Sequence, residues 1–200
     1  MTIPAAEKLI LIGCSAGGLD ALRELLRPLD AKYNVPIAVV KHIGHHDESL
    51  MIDVLGKDIN LETIEAVECE RSRAGTVSVA PGGYHLLFES DGSFALSLEP
   101  VHNGSRPSID VTFESAANAY AENLVAIVLS GNNQDGSQGI ETVLDTGGTV
   151  YVQDPAQAIY PRMPEAAASV LKKRSRANGV VASLPDISKI IQRMSGVPNE

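Results

Sequence analysis

The feature that most constrains the fold is an uninterrupted apolar run, Leu9 to Ile12, that ends in small residues and one hydroxyl, within KLILIGCSAGG. A strand without polar alternation is covered on both faces, as in a parallel sheet. The glycines that follow permit a tight turn, and the leucines at positions 19, 22, 26 and 29 have the spacing of one helix face. The stretch therefore predicts a strand, a glycine turn and a helix.

This first turn has three interpretations. The segment Gly13 to Gly17 fits the G-x-S-x-G pattern, in which Ser15 would be a nucleophile at the end of a strand. In the second interpretation, the turn binds the phosphate of a dinucleotide. Ser15 then occupies the position of the middle glycine in the dinucleotide-binding fingerprint. The third interpretation is a turn without chemistry, because short glycine motifs often match by chance. Cys14 is expected to point inward from the strand and not to be the nucleophile.

Two further apolar runs also end in side chains that can do chemistry. The run from Pro36 to Lys41 is followed directly by His42, and the run from Leu124 to Leu129 is followed by a polar loop that contains Asp135. Parallel strands joined by right-handed crossovers bring their carboxyl ends to one edge of the sheet. We therefore expect Ser15, His42 and Asp135 to converge, although Asp135 also fits a common Asp-Gly turn that caps the next helix.

Convergence of these side chains would form a catalytic triad. His42 would take the proton from Ser15 Oγ, and Asp135 would hold the imidazole in one tautomer. The oxyanion would need amide donors, most simply the backbone N–H of Ala16 and one from the turn at Asn132 and Asn133. The order Ser, His, Asp along the chain differs from the Ser, acid, His order of the α/β-hydrolases.

The remaining patterns complete the predicted fold. Residues 62–99 are expected to form a strand-rich insertion that is partly antiparallel, and Ser108 is expected to cap a helix. No repeat or linker divides the chain. The fold class predicted is α/β, with a doubly wound, mostly parallel sheet in three layers, as a single domain over residues 1–200 with its core at about 8–195.

Composition excludes several classes of function. A formal net charge of -9 and a pI near 5.0 disfavour binding to nucleic acid, because such binding needs clustered Lys and Arg. No apolar run approaches the roughly 20 residues that span a bilayer, and the first residues do not form a leader, so a cytoplasmic protein without membrane insertion is expected. With two cysteines and no CxxC pair, neither zinc nor disulfides are expected.

Two polar loops contain weaker candidates. In the segment from His45 to Glu48, a metal site is disfavoured because adjacent histidines do not share a helical face and no matching cluster occurs elsewhere. In the loop from Val101 to Pro107, His102 and Arg106 are candidates for substrate contact, since loops beside strand ends often carry function.

Six segments together resemble the catalytic domain of CheB, the protein-glutamate methylesterase of chemotaxis. GCSAGG is similar to the family's GxSTGG, VKHIG to its QHMP and LSGNNQDGSQG to its LTGMGxDGAxG; VAPGGYHLLFE, RPSIDVTFESAA and YPRMPEAA support the match. The resemblance implies a serine hydrolase that removes methyl groups from glutamyl esters on chemoreceptors or similar signalling proteins. Methanol would be released, and receptor glutamines would also be deamidated. The family's triad positions match Ser15, His42 and Asp135, and no cofactor is expected.

The sequence departs from the family pattern at several positions. Ala16 stands where the family usually has threonine, and Asn132-Asn133 replaces Met-Gly in the loop expected to line the oxyanion pocket. Residues 45–48 differ from the usual Gly-Phe-Thr, which would alter receptor docking. The family's common form has an amino-terminal receiver domain; none is expected before Met1, and regulation by phosphorylation within this chain is not expected. The alternative function is a binding or regulatory module that has kept the fold and lost activity.

Overall fold

The computed structural model describes residues 8–42, 48–174 and 178–195. Nine strands and six helices lie in these ranges. The strands are β1 Leu9–Cys14, β2 Ile37–Lys41, β3 Glu62–Glu65, β4 Thr76–Val79, β5 His85–Phe88, β6 Phe94–Ser97, β7 Leu124–Val128, β8 Thr149–Gln153 and β9 Gly179–Ala182. The helices are α1 Gly18–Leu26, α2 Glu48–Asp58, α3 Ile109–Tyr120, α4 Gly139–Asp145, α5 Arg162–Lys173 and α6 Leu184–Met194.

Seven of the strands form one parallel sheet in the order β3-β4-β2-β1-β7-β8-β9. The chain builds outward from β1 to one side through β2 and then returns to the other side through β7. The strand order therefore reverses beside β1, which is where open α/β sheets usually place their ligands. The predicted α/β class with a mostly parallel sheet is confirmed.

Helices cover both faces of this sheet, which explains the lack of polar alternation in β1. Leu9 and Leu11 pack into the core beneath α3, α4 and α5, whereas Ile10 and Ile12 pack into the core beneath α1, α2 and α6. All four side chains are fully buried. Successive side chains of a strand point to opposite faces, so a strand between two helical layers must be apolar throughout.

The insertion is smaller than the sequence predicted. Only β5 and β6 form a separate antiparallel sheet, which packs on α3 through Leu86, Phe88 and Phe94. The expectation of an insertion over residues 62–99 was wrong for its first half, because β3 and β4 extend the main sheet as parallel strands. The polar residues of β3 lie at the edge of the sheet, where one side of the strand contacts solvent.

Candidate active site

The turn after β1 is fixed by close packing. Ser15 directly follows the strand, and its backbone N–H donates to the carbonyl of Ser130 at 2.9 Å. Gly17 has a φ of 69°, and a Cβ there would lie 2.9 Å from Ser130 Oγ, so a glycine suits both the backbone and the space. The Ser130 hydroxyl also donates to the carbonyl of Ala16 at 2.9 Å and accepts the N–H of Tyr160 at 3.0 Å. One buried serine thus joins this turn to two other loops.

His42 follows β2 beside this turn. Cys14 is paired with Lys41 in the parallel register, and the N–H of His42 donates to the Cys14 carbonyl at 3.2 Å. The next residues in register are therefore Ser15 and His42, at adjacent strand ends. The His42 side chain is 11% exposed and Ser15 is half-buried.

Asp135 lies beneath the imidazole at the N-terminus of α3. His42 Nε2 donates to Asp135 Oδ2 at 2.8 Å, and the amides of Ile109 and Asp110 donate to the same carboxylate at 2.6 and 3.1 Å. The Ser108 hydroxyl adds a further bond at 2.9 Å. Burial alone would raise the pKa of Asp135, but the bonds from His42 and the two amides outweigh it and hold the pKa well below its usual range. The buried carboxylate is therefore ionised and accepts from the histidine.

A second buried carboxylate, Asp110, adjoins the first. Burial raises the pKa of Asp110 to about 6 and the charge of Asp135 adds to the increase, although the amide donors of Gly139 and Gln138 offset part of it. Asn103 lies between the carboxylates, and its Nδ2 donates to Asp110 Oδ2 at 2.7 Å and to Asp135 Oδ1 at 3.3 Å. The sequence interpretation missed both residues; Asn103-Gly104 is a turn signal, and an acidic residue in a first helical turn is common, so neither pattern indicated a site.

Asn133 contacts the other side of the histidine. Its Oδ1 accepts the N–H of Asp135 at 3.2 Å, and its Nδ2 lies 3.3 Å from His42 Nδ1. The sequence interpretation considered only the backbone of this residue. Both ring nitrogens of His42 therefore have partners in the loop that follows β7.

Ser15 Oγ makes no hydrogen bond within the described ranges, so the structure links His42 to Asp135 and Asn133 but not to the Ser15 hydroxyl. The neighbouring thiol is not a competing nucleophile. Cys14 is fully buried, and burial raises its pKa to about 12.

The expected oxyanion donors come from two different loops. Ala16 follows Ser15 in the turn after β1 and is half-buried, while Asn132 is exposed in the loop after β7. In the described parts of the chain, neither backbone N–H donates to another residue of the protein. Their role as oxyanion donors stays a prediction.

The two candidates for substrate contact lie in the loop before α3. His102 is 43% exposed, with Nε2 3.9 Å from Asp110 Oδ2. The Arg106 guanidinium donates to the carbonyls of Leu98 and Glu99, at 2.9 Å each, and so holds the loop together. Contact of either residue with substrate stays a prediction.

Among the described residues, no three His, Cys, Asp or Glu side chains are grouped as a metal site would require. The histidines and the aspartate at positions 45–47, considered as ligands above, lie outside the described residues.

None of the helices in the described ranges combines the length and apolarity needed to cross a bilayer.

Comparisons with known proteins find relatives that match most of this chain. A putative protein-glutamate methylesterase/protein-glutamine glutaminase of Leptospira interrogans is 42% identical over 158 residues, which cover 79% of this chain and 82% of that protein. A second relative is the protein-glutamate methylesterase/protein-glutamine glutaminase of Symbiobacterium thermophilum. It is 34% identical over 184 residues, which cover 89% of this chain and 51% of that protein. The chain thus spans most of the first relative and about half of the second.

A solved structure gives the same result for the fold. The crystal structure of the Thermotoga maritima CheB methylesterase catalytic domain superposes with a TM-score of 0.86 at 28% identity, covering 94% of this chain and 99% of that one. The family model for CheB methylesterase matches residues 10–189. The chain therefore belongs to the CheB methylesterase family, whose named members are carboxylic ester hydrolases.

Proposed function

We propose that this chain hydrolyses methyl esters of glutamyl side chains with Ser15 as nucleophile, His42 as general base and Asp135 as the group that orients the base. The observation that carries the proposal is the 2.8 Å bond from His42 Nε2 to the buried, ionised Asp135, at the strand end next to Ser15. A histidine held through one nitrogen by a carboxylate can accept a proton at the other.

In the first step, Ser15 Oγ attacks the ester carbonyl carbon while its proton passes to His42 Nδ1. The carbonyl oxygen becomes an oxyanion, which the backbone N–H groups of Ala16 and Asn132 would bind. Asp135 stabilises the imidazolium through Nε2–H and keeps its own charge throughout. Collapse of the intermediate breaks the bond to the methoxy group, which leaves as methanol with the proton from His42.

In the second step, water attacks the glutamyl ester on Ser15. His42 takes the proton from the water and returns it to Ser15 Oγ, so free enzyme and a glutamate side chain are regenerated. A glutamine side chain would react by the same route and release ammonia in place of methanol. No metal or cofactor enters either step.

The proposed substrate is a methylated chemoreceptor or a similar signalling protein. A rim of exposed apolar side chains supports a protein substrate: Ile159 and Tyr160 are 62% and 41% exposed, and both lie against Gly17 in the Ser15 turn. Such a rim suits the side of a receptor helix better than a small polar molecule. Cytoplasmic location is part of this proposal.

We expect the purified chain to release labelled methanol from receptor membranes whose glutamates carry a radiolabelled methyl group. Pretreatment with a fluorophosphonate should abolish the release, because the reagent consumes the serine. Ammonia release from unmethylated receptor measures the glutaminase reaction in parallel. Methanol at the level of the protein-free control, on receptors that an active family member demethylates, would contradict the proposal.

A further inference from the structure

His42, Asp135 and Asn133 form a closed ring of three hydrogen bonds. The Asp135 N–H donates to Asn133 Oδ1 at 3.2 Å, Asn133 Nδ2 lies 3.3 Å from His42 Nδ1, and His42 Nε2 donates to Asp135 Oδ2 at 2.8 Å. The nitrogen that must accept the serine proton is thus already engaged. We propose that Asn133 is a positioning residue that holds His42 in a resting arrangement, from which its amide must withdraw before Ser15 can react. This inference rests on the proposed function.

The orientation of the Asn133 amide follows from its other partner. A backbone N–H can only donate, so the Asn133 atom that faces the Asp135 N–H must be the carbonyl oxygen. The NH₂ group then points at His42. Because the oxygen is held, the amide cannot rotate to offer His42 an acceptor without breaking its bond to Asp135.

The tautomer of His42 follows from the same kind of argument. An ionised carboxylate only accepts hydrogen bonds, so the neutral imidazole has its proton on Nε2, facing Asp135. Nδ1 then offers a single in-plane lone pair, which receives the Asn133 N–H. Every donor in the ring faces an acceptor, which makes the resting arrangement self-consistent.

Proton transfer from Ser15 conflicts with this arrangement at two points. Before transfer, the Ser15 hydroxyl needs the lone pair that Asn133 occupies. After transfer, Nδ1–H faces the NH₂ group of Asn133, so two donors oppose each other. At 3.3 Å the contact is longer than the 2.9–3.0 Å typical of good bonds, so its release costs little. Asn133 should therefore slow the reaction by a modest factor.

The test measures covalent labelling of the protein by a fluorophosphonate, which needs no receptor. Ser15 Oγ forms a bond to phosphorus, fluoride leaves and His42 takes the hydroxyl proton. In Asn133→Ala, we expect the maximal labelling rate constant to rise about threefold to tenfold, the equivalent of one modest hydrogen bond. The reagent concentration for half-maximal rate should not change. Asn118→Ala, on the exposed face of α3, is the matched control and should label at the wild-type rate.

Asn133→Asp separates this role from a merely structural one. The aspartate keeps an oxygen for the Asp135 N–H but offers His42 Nδ1 an anionic acceptor in place of a donor. An acceptor at this position favours a proton on Nδ1, which removes the lone pair that must take the Ser15 proton, so labelling should be slower than in wild type. Labelling of Asn133→Ala at or below the wild-type rate, or of Asn133→Asp as fast as Asn133→Ala, would overturn the inference. Wild-type protein that takes up no label at Ser15 would overturn the proposed function and this inference with it.

Discussion

Ser15→Ala is expected to reduce kcat for ester hydrolysis by about 10⁶-fold, the effect seen when a triad hydrolase loses its nucleophile. In the proposed mechanism the acyl intermediate forms on Ser15 Oγ, and without this oxygen only uncatalysed attack by water in the bound state would remain. The substrate should still bind, because the apolar rim at Ile159 and Tyr160 is untouched. The measurement is single-turnover methanol release, with KM or direct binding determined in parallel.

Ser169→Ala provides the control for this prediction. Ser169 lies exposed on α5, where its hydroxyl donates to the Glu165 carbonyl one turn earlier. Its removal should leave kcat at the wild-type value. Ester hydrolysis by Ser15→Ala within tenfold of wild type would rule out Ser15 as the nucleophile.

Asp135→Asn is expected to lower kcat by about 10⁴-fold, because the amide cannot stabilise the imidazolium and favours the wrong tautomer of His42. The substitution preserves the shape of the side chain, so the loss measures charge and proton placement more than packing. Asp53→Asn, on the exposed side of α2, changes the same functional group away from the site and should leave kcat unchanged.

The same substitution should also reduce the free energy of unfolding, by about 1–3 kcal/mol. Oδ2 accepts the Ile109 N–H and Oδ1 accepts the Asp110 N–H, so an amide nitrogen at either position must face a buried backbone donor. Denaturant unfolding at neutral pH measures this loss against Asp53→Asn. A variant of wild-type stability and activity would show that the carboxylate neither orients His42 nor caps α3.

The central strands could be predicted from the sequence because burial on both faces requires apolar residues at successive positions. β1, β2 and β7 are covered on both faces, so each is a continuous apolar run, and the first polar residue after each run marks the edge of the sheet. The same rule predicted that His42 and the loop containing Asp135 lie at one edge of the sheet. Ser108 as the cap of α3 was confirmed for a local reason, since its side chain accepts the Val111 N–H one turn later.

The positions of β3 and β4 could not be predicted in this way. β3 reads Glu-Thr-Ile-Glu, a half-polar strand that fits either an antiparallel hairpin or the edge of a parallel sheet. Which partner it pairs with depends on contacts far away in the chain, and four residues contain too little pattern to select one. The Pro81-Gly82-Gly83 turn between β4 and β5 is typical of a hairpin, but these strands belong to different sheets.

The side-chain contacts of Asn103, Asp110 and Asn133 could not be predicted for a related reason. The hydrogen-bond partners of these side chains lie on other loops. Asn103, for example, bridges two carboxylates that are 25 residues apart in the chain. In the sequence each stands in a polar turn or a first helical turn, where such residues are common without any role in a site. Only the folded sheet edge distinguishes them.

The most direct test of the account is to map the covalent adduct formed when the wild-type chain reacts with a fluorophosphonate. Intact mass spectrometry should show addition of one phosphonyl group, and digestion should locate it on the peptide containing Ser15. The adduct should be absent from Ser15→Ala and form far more slowly in Asp135→Asn. A protein that stays unmodified under conditions that label an active family member, or an adduct on a residue other than Ser15, would contradict it.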